Sequence, residues 1–491
     1  MSSRVRPYLF YDVALTICST CFRKLEGKIV FEQGRVFLLK DCPQHGPEKV
    51  LVADDVDYYR RCREVFIKPP EMPARYNTPV RWGCPYDCGL CTDHEQHSCL
   101  SLIEICDACN LRCPVCYASS GPERQEFRSL AQVEAMLDAV VRNETEPDVV
   151  QISGGEPTLH PVFFTILDRA RQRPIRHLMV NTNGVRLAQE PDFSKRLAEY
   201  APAFEVYLQF DSLERRPLEE LRGADLRGIR QRALEQLNRH NISTTLVVTL
   251  KRSLNDGEIG RLIDFALTQP CVRGVTLQPI QSAGRLEGFD PSTDRLTLTE
   301  VRRRILEQTS VFRPEDVIPV PCHPDSLAMA YALKIGGKVT PLTGLVSPEI
   351  LIGGSRNTIV FEEEEAVREG VWKLFSTAHS PQSGAHTLRE LLCCLPRLDA
   401  PPALAYENVF RVLIVQFIDA HSFDVRSVKK TCIHIAHPDG RLIPFDTYNL
   451  FYRDALETTR LNPLRRAIES SSFVASATLG AGLSGSTPRK A

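Results

Sequence analysis

From residue 102 onward, short apolar runs recur with polar residues at their ends, and the stretches between them carry apolar positions at helical spacing. The runs at 102–106, 149–153, 177–184, 205–212, 243–250 and 272–278 read as strands. Ser129 and Gln132 form a capping-box pair that opens a helix running to residue 142, and 161–173 reads as another helix. This rhythm predicts a parallel sheet, and six strand–helix units over 102–310 predict an α/β core, a partial (β/α)6 TIM-like barrel. Ligands of such a barrel sit beyond the carboxyl ends of its strands. Asn181, Asn183, Gln209, Asp211, Ser212 and Asn255 therefore fall on one face, with Thr249 and Gln278 beside them. Each also suits a helix cap or a turn.

Outside the barrel the pattern changes. Residues 28–40 hold two alternating runs that meet at Gln33 and Gly34, a hairpin with Cys18 and Cys21 before it and Cys42 and His45 after it. Residues 54–68 read as a helix carrying Cys62 as a small buried residue, and Pro69, Pro70, Pro73 and Pro79 then predict an extended linker. Beyond residue 310 the rhythm fails: 387–395 is helix-like, 410–418 reads as a buried strand, and 431–449 as a hairpin turning at Pro438, Asp439 and Gly440. The expected organisation is a metal-ribbon module with a helix (1–68), a cysteine-bearing linker (69–101), the barrel (102–310), an α+β extension (311–465) and a disordered tail rich in Ser, Gly and Ala (466–491).

Charge narrows the partners. Lys and Arg number 60 against 61 Asp and Glu, so no overall field favours nucleic acid or an anionic membrane. No apolar run is long enough for a signal peptide or a span, and the expectation is a cytoplasmic protein. Most of its 17 cysteines are grouped at metal-ligand spacings, which in such a compartment predicts thiolates on metals rather than disulfides.

Four groupings stand out. Cys18, Cys21, Cys42 and His45 flank the hairpin as a zinc ribbon or a rubredoxin-like iron site does, and the residues suit either ion, in a structural or an electron-transfer role. Cys84, Cys88, Cys91 and Cys99 can saturate an auxiliary four-iron cluster or a structural zinc, with His94 or His97 as possible substitutes for a thiolate. Cys109, Cys113 and Cys116, spaced C-x3-C-x2-C, can hold three corners of a cubane and leave the fourth iron open, although a zinc knuckle uses similar spacings. Cys322 and Cys432, with His323, Cys393 or Cys394, offer a further site of irregular spacing.

The third grouping, followed by Gly154, Gly155, Glu156 and Pro157 at a strand end, resembles the radical S-adenosylmethionine (SAM) superfamily. The resemblance implies that SAM chelates the open iron of a [4Fe-4S] cluster and is split by one electron to a 5'-deoxyadenosyl radical that abstracts hydrogen. It implies that Gly154, Gly155 and Glu156 hold the amino end of SAM, with Tyr117, Pro157 and the polar strand ends around the rest.

More narrowly, the ribbon, then G-C-P-x-D-C-G-x-C-x2-H-x4-C at 83–99, then the C-x3-C-x2-C loop, is similar to archaeal tetraether lipid synthases and their bacterial relatives. That resemblance implies C–C coupling or alkylation of a lipid chain, a ferredoxin or flavodoxin reductant, and at most transient membrane contact. Ser326, Thr431 and Asp446 depart from it where further cysteines are expected. A peptide or a pterin-like heterocycle is the alternative substrate, and a non-catalytic iron-sulfur electron carrier the alternative class.

Overall fold

The computed structural model describes residues 6–335, 337–345, 348–349, 352 and 408–470. The helix expected over 387–395, with Cys393 and Cys394, lies outside the described residues. Of the tail expected from 466, residues 466–470 are helical and the remainder lies outside them as well.

The N-terminal unit is an antiparallel meander of β1 (Leu9–Ile17), β2 (Lys24–Glu32), β3 (Arg35–Cys42) and β4 (Gly46–Ala53), in that spatial order. The central hairpin turns where the sequence places it, with Gln33 and Gly34 both at positive φ (52° and 73°), as a tight two-residue turn demands. The outer strands are additional. Asp12 interrupts the apolar alternation of β1 and the β1–β2 ladder slips register there, which hides the strand from periodicity. Asp55 then caps α1 (Val56–Glu64), on which Cys62 is buried.

The six expected strands are present. β5 (Leu100–Glu104) leads into the cysteine loop, where a short β6 (Val115–Cys116) forms, and α2 (Leu130–Glu144) starts on the Ser129–Gln132 capping box. β7 (Val149–Ser153), α3 (Phe163–Arg171), β8 (His177–Thr182), α4 (Val185–Gln189), α5 (Pro191–Ala198), β9 (Phe204–Gln209), α6 (Arg215–Arg222), α7 (Arg227–Arg239), β10 (Thr244–Leu250), α8 (Ile259–Thr268) and β11 (Val272–Pro279) continue the alternation. β5, β7, β8, β9, β10 and β11 pair in parallel, and helices cover their outer face, so Ile152, Val206 and Val248 are fully buried.

The chain then passes through β12 (Arg285–Leu286), α9 (Leu298–Gln308), β13 (Ile318–Pro319), β14 (Leu327–Ile335), β15 (Lys338–Pro341), β16 (Val409–Val415), α10 (Val425–Val428), β17 (Ile433–Ala436) and β18 (Leu442–Pro444). β12 pairs antiparallel with β6 apart from this sheet, and the strands from β13 on extend the main sheet at both edges. β16 adds in parallel to β11 and carries antiparallel β14, while β17 adds in parallel to β5 and carries β18. The order is β13-β14-β16-β11-β10-β9-β8-β7-β5-β17-β18. No helix among the described residues is long and apolar enough to cross a membrane.

Candidate active site and metal centres

β5 delivers the cysteine loop to the carboxyl edge of the sheet, and the end of β7 clasps it through backbone alone. Gly155 N–H donates to the Cys106 carbonyl at 2.8 Å and Glu156 N–H to the Ala108 carbonyl at 2.8 Å. Two glycines make this approach feasible. A Cβ on Gly154, at φ 147°, would lie 2.4 Å from the Cys106 oxygen, and one on Gly155 would lie 2.3 Å from the Ala108 oxygen.

Cys109, Cys113 and Cys116 line a cavity of about 210 Å³ together with both glycines. Their sulfurs are not all within 4.8 Å of one another, wider than donors on one ion. Burial pushes the Cys109 thiol up to about 12 and raises that of Cys113, which the nearby Arg222 guanidinium pulls back down. Cationic iron at this place would reverse the burial effect and hold the sulfurs as thiolates.

Among the expected contacts, Tyr117, Asn181, Asn183, Gln209, Thr249 and Gln278 line this cavity. Asn181, Gln209 and Thr249 are joined by a hydrogen-bond chain: Gln209 Nε2 donates to Asn181 Oδ1 at 2.9 Å, and Arg222 Nη2 donates to Gln209 Oε1 at 3.2 Å and Thr249 Oγ1 at 2.8 Å.

Glu156 stands elsewhere. Its carboxylate, 1 % exposed, accepts from Thr158 N (3.2 Å), Thr158 Oγ1 (2.5 Å), Thr182 Oγ1 (2.8 Å) and Asn183 N (2.7 Å), so it fastens the glycine turn to β8 and does not face the cavity. Pro157 opens the short 3-10 turn Pro157–Leu159 behind it. Asp211 is sealed in an ion pair with Arg222, Nε to Oδ2 at 2.7 Å. Asn255 brackets the end of β10, donating to the carbonyls of Asp211 and Thr249 and accepting from Lys251 N at 3.0 Å. Ser212 donates to Glu258 and accepts from Glu214 N. These four are turn and cap residues.

Two arginines on the cavity wall, Arg222 and Arg230, carry no motif. Arg230 shares the buried stripe of α7 with Ala233, Leu234 and Leu237, and a charge on an apolar stripe is the signal that reveals it. It donates Nη1 to the Asn183 carbonyl and its Nη2 lies 3.8 Å from Asp211 Oδ2 in an ion pair, while its Nε finds no hydrogen-bond acceptor among the described residues. A buried donor without an acceptor, beside a glycine cradle and three thiols, fits a ligand carrying a carboxylate.

The N-terminal unit holds a second donor set. Cys18, Cys21, Cys42 and His45 converge, with Cys21 Sγ 3.8 Å from Cys42 Sγ and His45 Nδ1 3.5 and 3.4 Å from the sulfurs of Cys18 and Cys42. Metal bonds of about 2.3 Å to sulfur and about 2.0 Å to nitrogen place tetrahedral donors roughly 3.5–3.8 Å apart, so the four fit one ion.

Residues 103–266 match the family model described as the radical SAM superfamily. Those residues form a radical SAM domain. Residues 10–54 match the model described as the HMPTM N-terminal zinc ribbon domain, over the same four ligands. The chain is 28 % identical over 503 aligned residues to a 7,8-dihydro-6-hydroxymethylpterin dimethyltransferase of Methanocaldococcus jannaschii, covering 92 % of this chain and 96 % of that protein. It is 26 % identical over 232 residues to the GTP 3',8-cyclase of Pectobacterium atrosepticum, covering 45 % of this chain and 68 % of that one. Among solved structures, SuiB of Streptococcus suis bound to S-adenosylmethionine overlays 43 % of this chain and 46 % of its own at 18 % identity and a TM-score of 0.36.

The radical SAM core implies a [4Fe-4S] cluster and SAM, and it leaves the other cysteines to be placed. Cys84, Cys88 and Cys91 lie close enough to perturb one another's thiols. Cys99, expected to complete their set, does not join them. It immediately precedes β5, whose first residue Leu100 pairs with Ile433 and donates its N–H to the Cys432 carbonyl at 3.1 Å, so strand pairing carries Cys99 to Cys432. There Cys99, Cys322 and Cys432 have all three sulfurs within 4.8 Å. His323 is turned to Ser427 Oγ at 3.2 Å instead. Thr431 and Asp446, which replace expected cysteines, bond to each other at 2.9 Å.

Proposed function

We propose that this radical SAM enzyme alkylates a pterin-like heterocycle, with Cys109, Cys113 and Cys116 holding the cluster and the Gly154–Gly155 backbone holding the amino-acid end of SAM. The observation that carries the substrate class is the 28 % identity along nearly the whole of both chains to a pterin dimethyltransferase, through ribbon, core and extension alike. When bound, the cluster and SAM supply hydrogen abstraction from an unactivated C–H bond. The chain's own residues orient and enclose. Arg230 offers its Nε to a carboxylate, and Gln151, Gln209, Gln278, Thr245 and Thr276 present amides and hydroxyls from the inner face of the sheet, suited to the edge of a polar heterocycle.

Apolar residues interleaved with these favour a second reading. Leu100, Leu102, Val149, Leu413, Val415, Phe417 and Phe445 line the same cavity with apolar surface, as an acyl chain would require, although the comparisons lend lipid coupling no support. Anaerobic, cluster-reconstituted protein with SAM, dithionite and 6-hydroxymethyl-7,8-dihydropterin should release 5'-deoxyadenosine and methionine, and with a separate one-carbon donor present, either a further SAM or a reduced-pterin one-carbon carrier, should yield a pterin heavier by one or two methyl groups. Turnover confined to an added membrane-lipid extract would overturn the pterin reading, and loss of 5'-deoxyadenosine in Cys113→Ala checks the radical chemistry itself.

A further inference from the structure

Cys322 lies between β13 and β14, near one end of the sheet, whereas Cys99 and Cys432 lead into β5 and β17, near the other. In the strand order these ends are separated by the whole run from β16 to β7. The sheet nevertheless curls until Cys322 Sγ stands 3.5 Å from Cys432 Sγ, with Cys99 Sγ in the same group. All three are at most 3 % exposed.

The spacing discriminates between metal centres. Within 4.8 Å, the trio is as tight as the ribbon donors, whereas Cys109, Cys113 and Cys116 are not. Sulfurs around one tetrahedral ion stand about 3.8 Å apart, whereas each thiolate on a cubane holds a different iron and must spread wider.

A fourth donor is at hand. His97 turns Nε2 to Cys99 Sγ at 3.5 Å, while its Nδ1 is 2.9 Å from Glu144 Oε2. A carboxylate on the far nitrogen of an imidazole is the arrangement that orients metal-ligating histidines. Both side chains are essentially unexposed, and Glu144 is itself held by Ser98 N–H at 2.9 Å. His97 lies outside the group whose donors are all within 4.8 Å of one another and meets it at Cys99.

We propose that Cys99, Cys322, Cys432 and His97 bind a single tetrahedral metal ion that clasps the two ends of the sheet, with Glu144 as the positioning residue for His97. The site is independent of the cubane and of the substrate, so it stands or falls apart from the pterin reading.

The test counts metal against acid-labile sulfide in the full chain isolated anaerobically, because a cubane contributes equal iron and sulfide whereas a mononuclear site contributes metal alone. Zinc plus iron should exceed sulfide by at least two equivalents, one for the ribbon and one here, with a third if Cys84, Cys88 and Cys91 hold a lone ion. Cys322→Ser should lower the excess by one with sulfide unchanged, and Cys21→Ser should lower it by one independently. His97→Cys should keep the wild-type excess and His97→Ala should not. Parallel loss of metal and sulfide in Cys322→Ser would reveal a cluster, and an unchanged count would reveal no site; either overturns the proposal. Should Cys322→Ser fail to fold, an excess of only one in the wild type overturns it equally.

Discussion

The backbone N–H of Asn183 donates to Glu156 Oε2 at 2.7 Å, tying the end of β8 to the glycine turn at the end of β7. Glu156→Gln keeps the shape but sets an amide N–H₂ or a neutral oxygen against donors arranged for a carboxylate. Losing charge-assisted bonds of about 1.5–3 kcal/mol should loosen the turn and weaken SAM binding by roughly tenfold or more. Calorimetric titration of SAM into reconstituted protein measures this, and a change below threefold would show that the bracket does not set the cradle.

Gly155→Ala puts a Cβ against the Ala108 carbonyl, 2.3 Å away, and must displace the cysteine loop. Iron and sulfide retained after reconstitution should fall by more than half, while the ribbon metal stays. Gly257→Ala, whose Cβ meets nothing within 4 Å, is the control and should alter stability by less than about 0.5 kcal/mol.

Arg453 reaches from the C-terminal segment to Glu104 at the end of β5, with bonds of 3.1 and 2.8 Å, and both side chains are buried. Removing one partner strands the other, so Arg453→Met should cost about 3–5 kcal/mol by denaturant titration. The double variant Glu104→Gln, Arg453→Met should recover part of that loss; equal loss in the two would mean that packing, not charge, is what Arg453 contributes.

Burial pushes the Asp446 carboxyl up to about 6 from its ordinary 3.8. The folded chain therefore holds this proton more tightly than the unfolded one. Stability from this group is full below about pH 4 and is lost as pH rises through 6. Asp446→Asn can still pair with Ile418 N–H and the Thr431 hydroxyl, and it removes that slope. The variant should exceed the wild type by up to roughly 3 kcal/mol at about pH 7.5, and the gap should close near pH 4. A wild type with no such slope relative to the variant would contradict the shift.

The parallel strands were legible because, buried on both faces, they spell continuous apolar runs, and the Ser129–Gln132 cap was legible because it is local. The Gly154–Gly155 cradle was legible for the same reason. The direction of Glu156 was not, since a motif names a residue without saying which way its side chain turns. Cys99 was misplaced because chain spacing put it beside Cys91, whereas the β5–β17 pairing decides its neighbours. Arg222 and Arg230 acquire meaning only once α6 and α7 dock on the cavity. Nothing in the sequence announces that the extension continues the barrel sheet, because β16 and β17 are remote from the strands they join.

That continuation governs when the enzyme can become active. Leu413, Val415, Ile433 and Phe445 belong to the cavity wall, so the chamber has no complete side until Phe445 has left the ribosome. A nascent chain that had already folded its central strands would present the cysteine loop to bulk water and oxygen, which makes delayed iron delivery, after release of the finished polypeptide, the safe order of assembly.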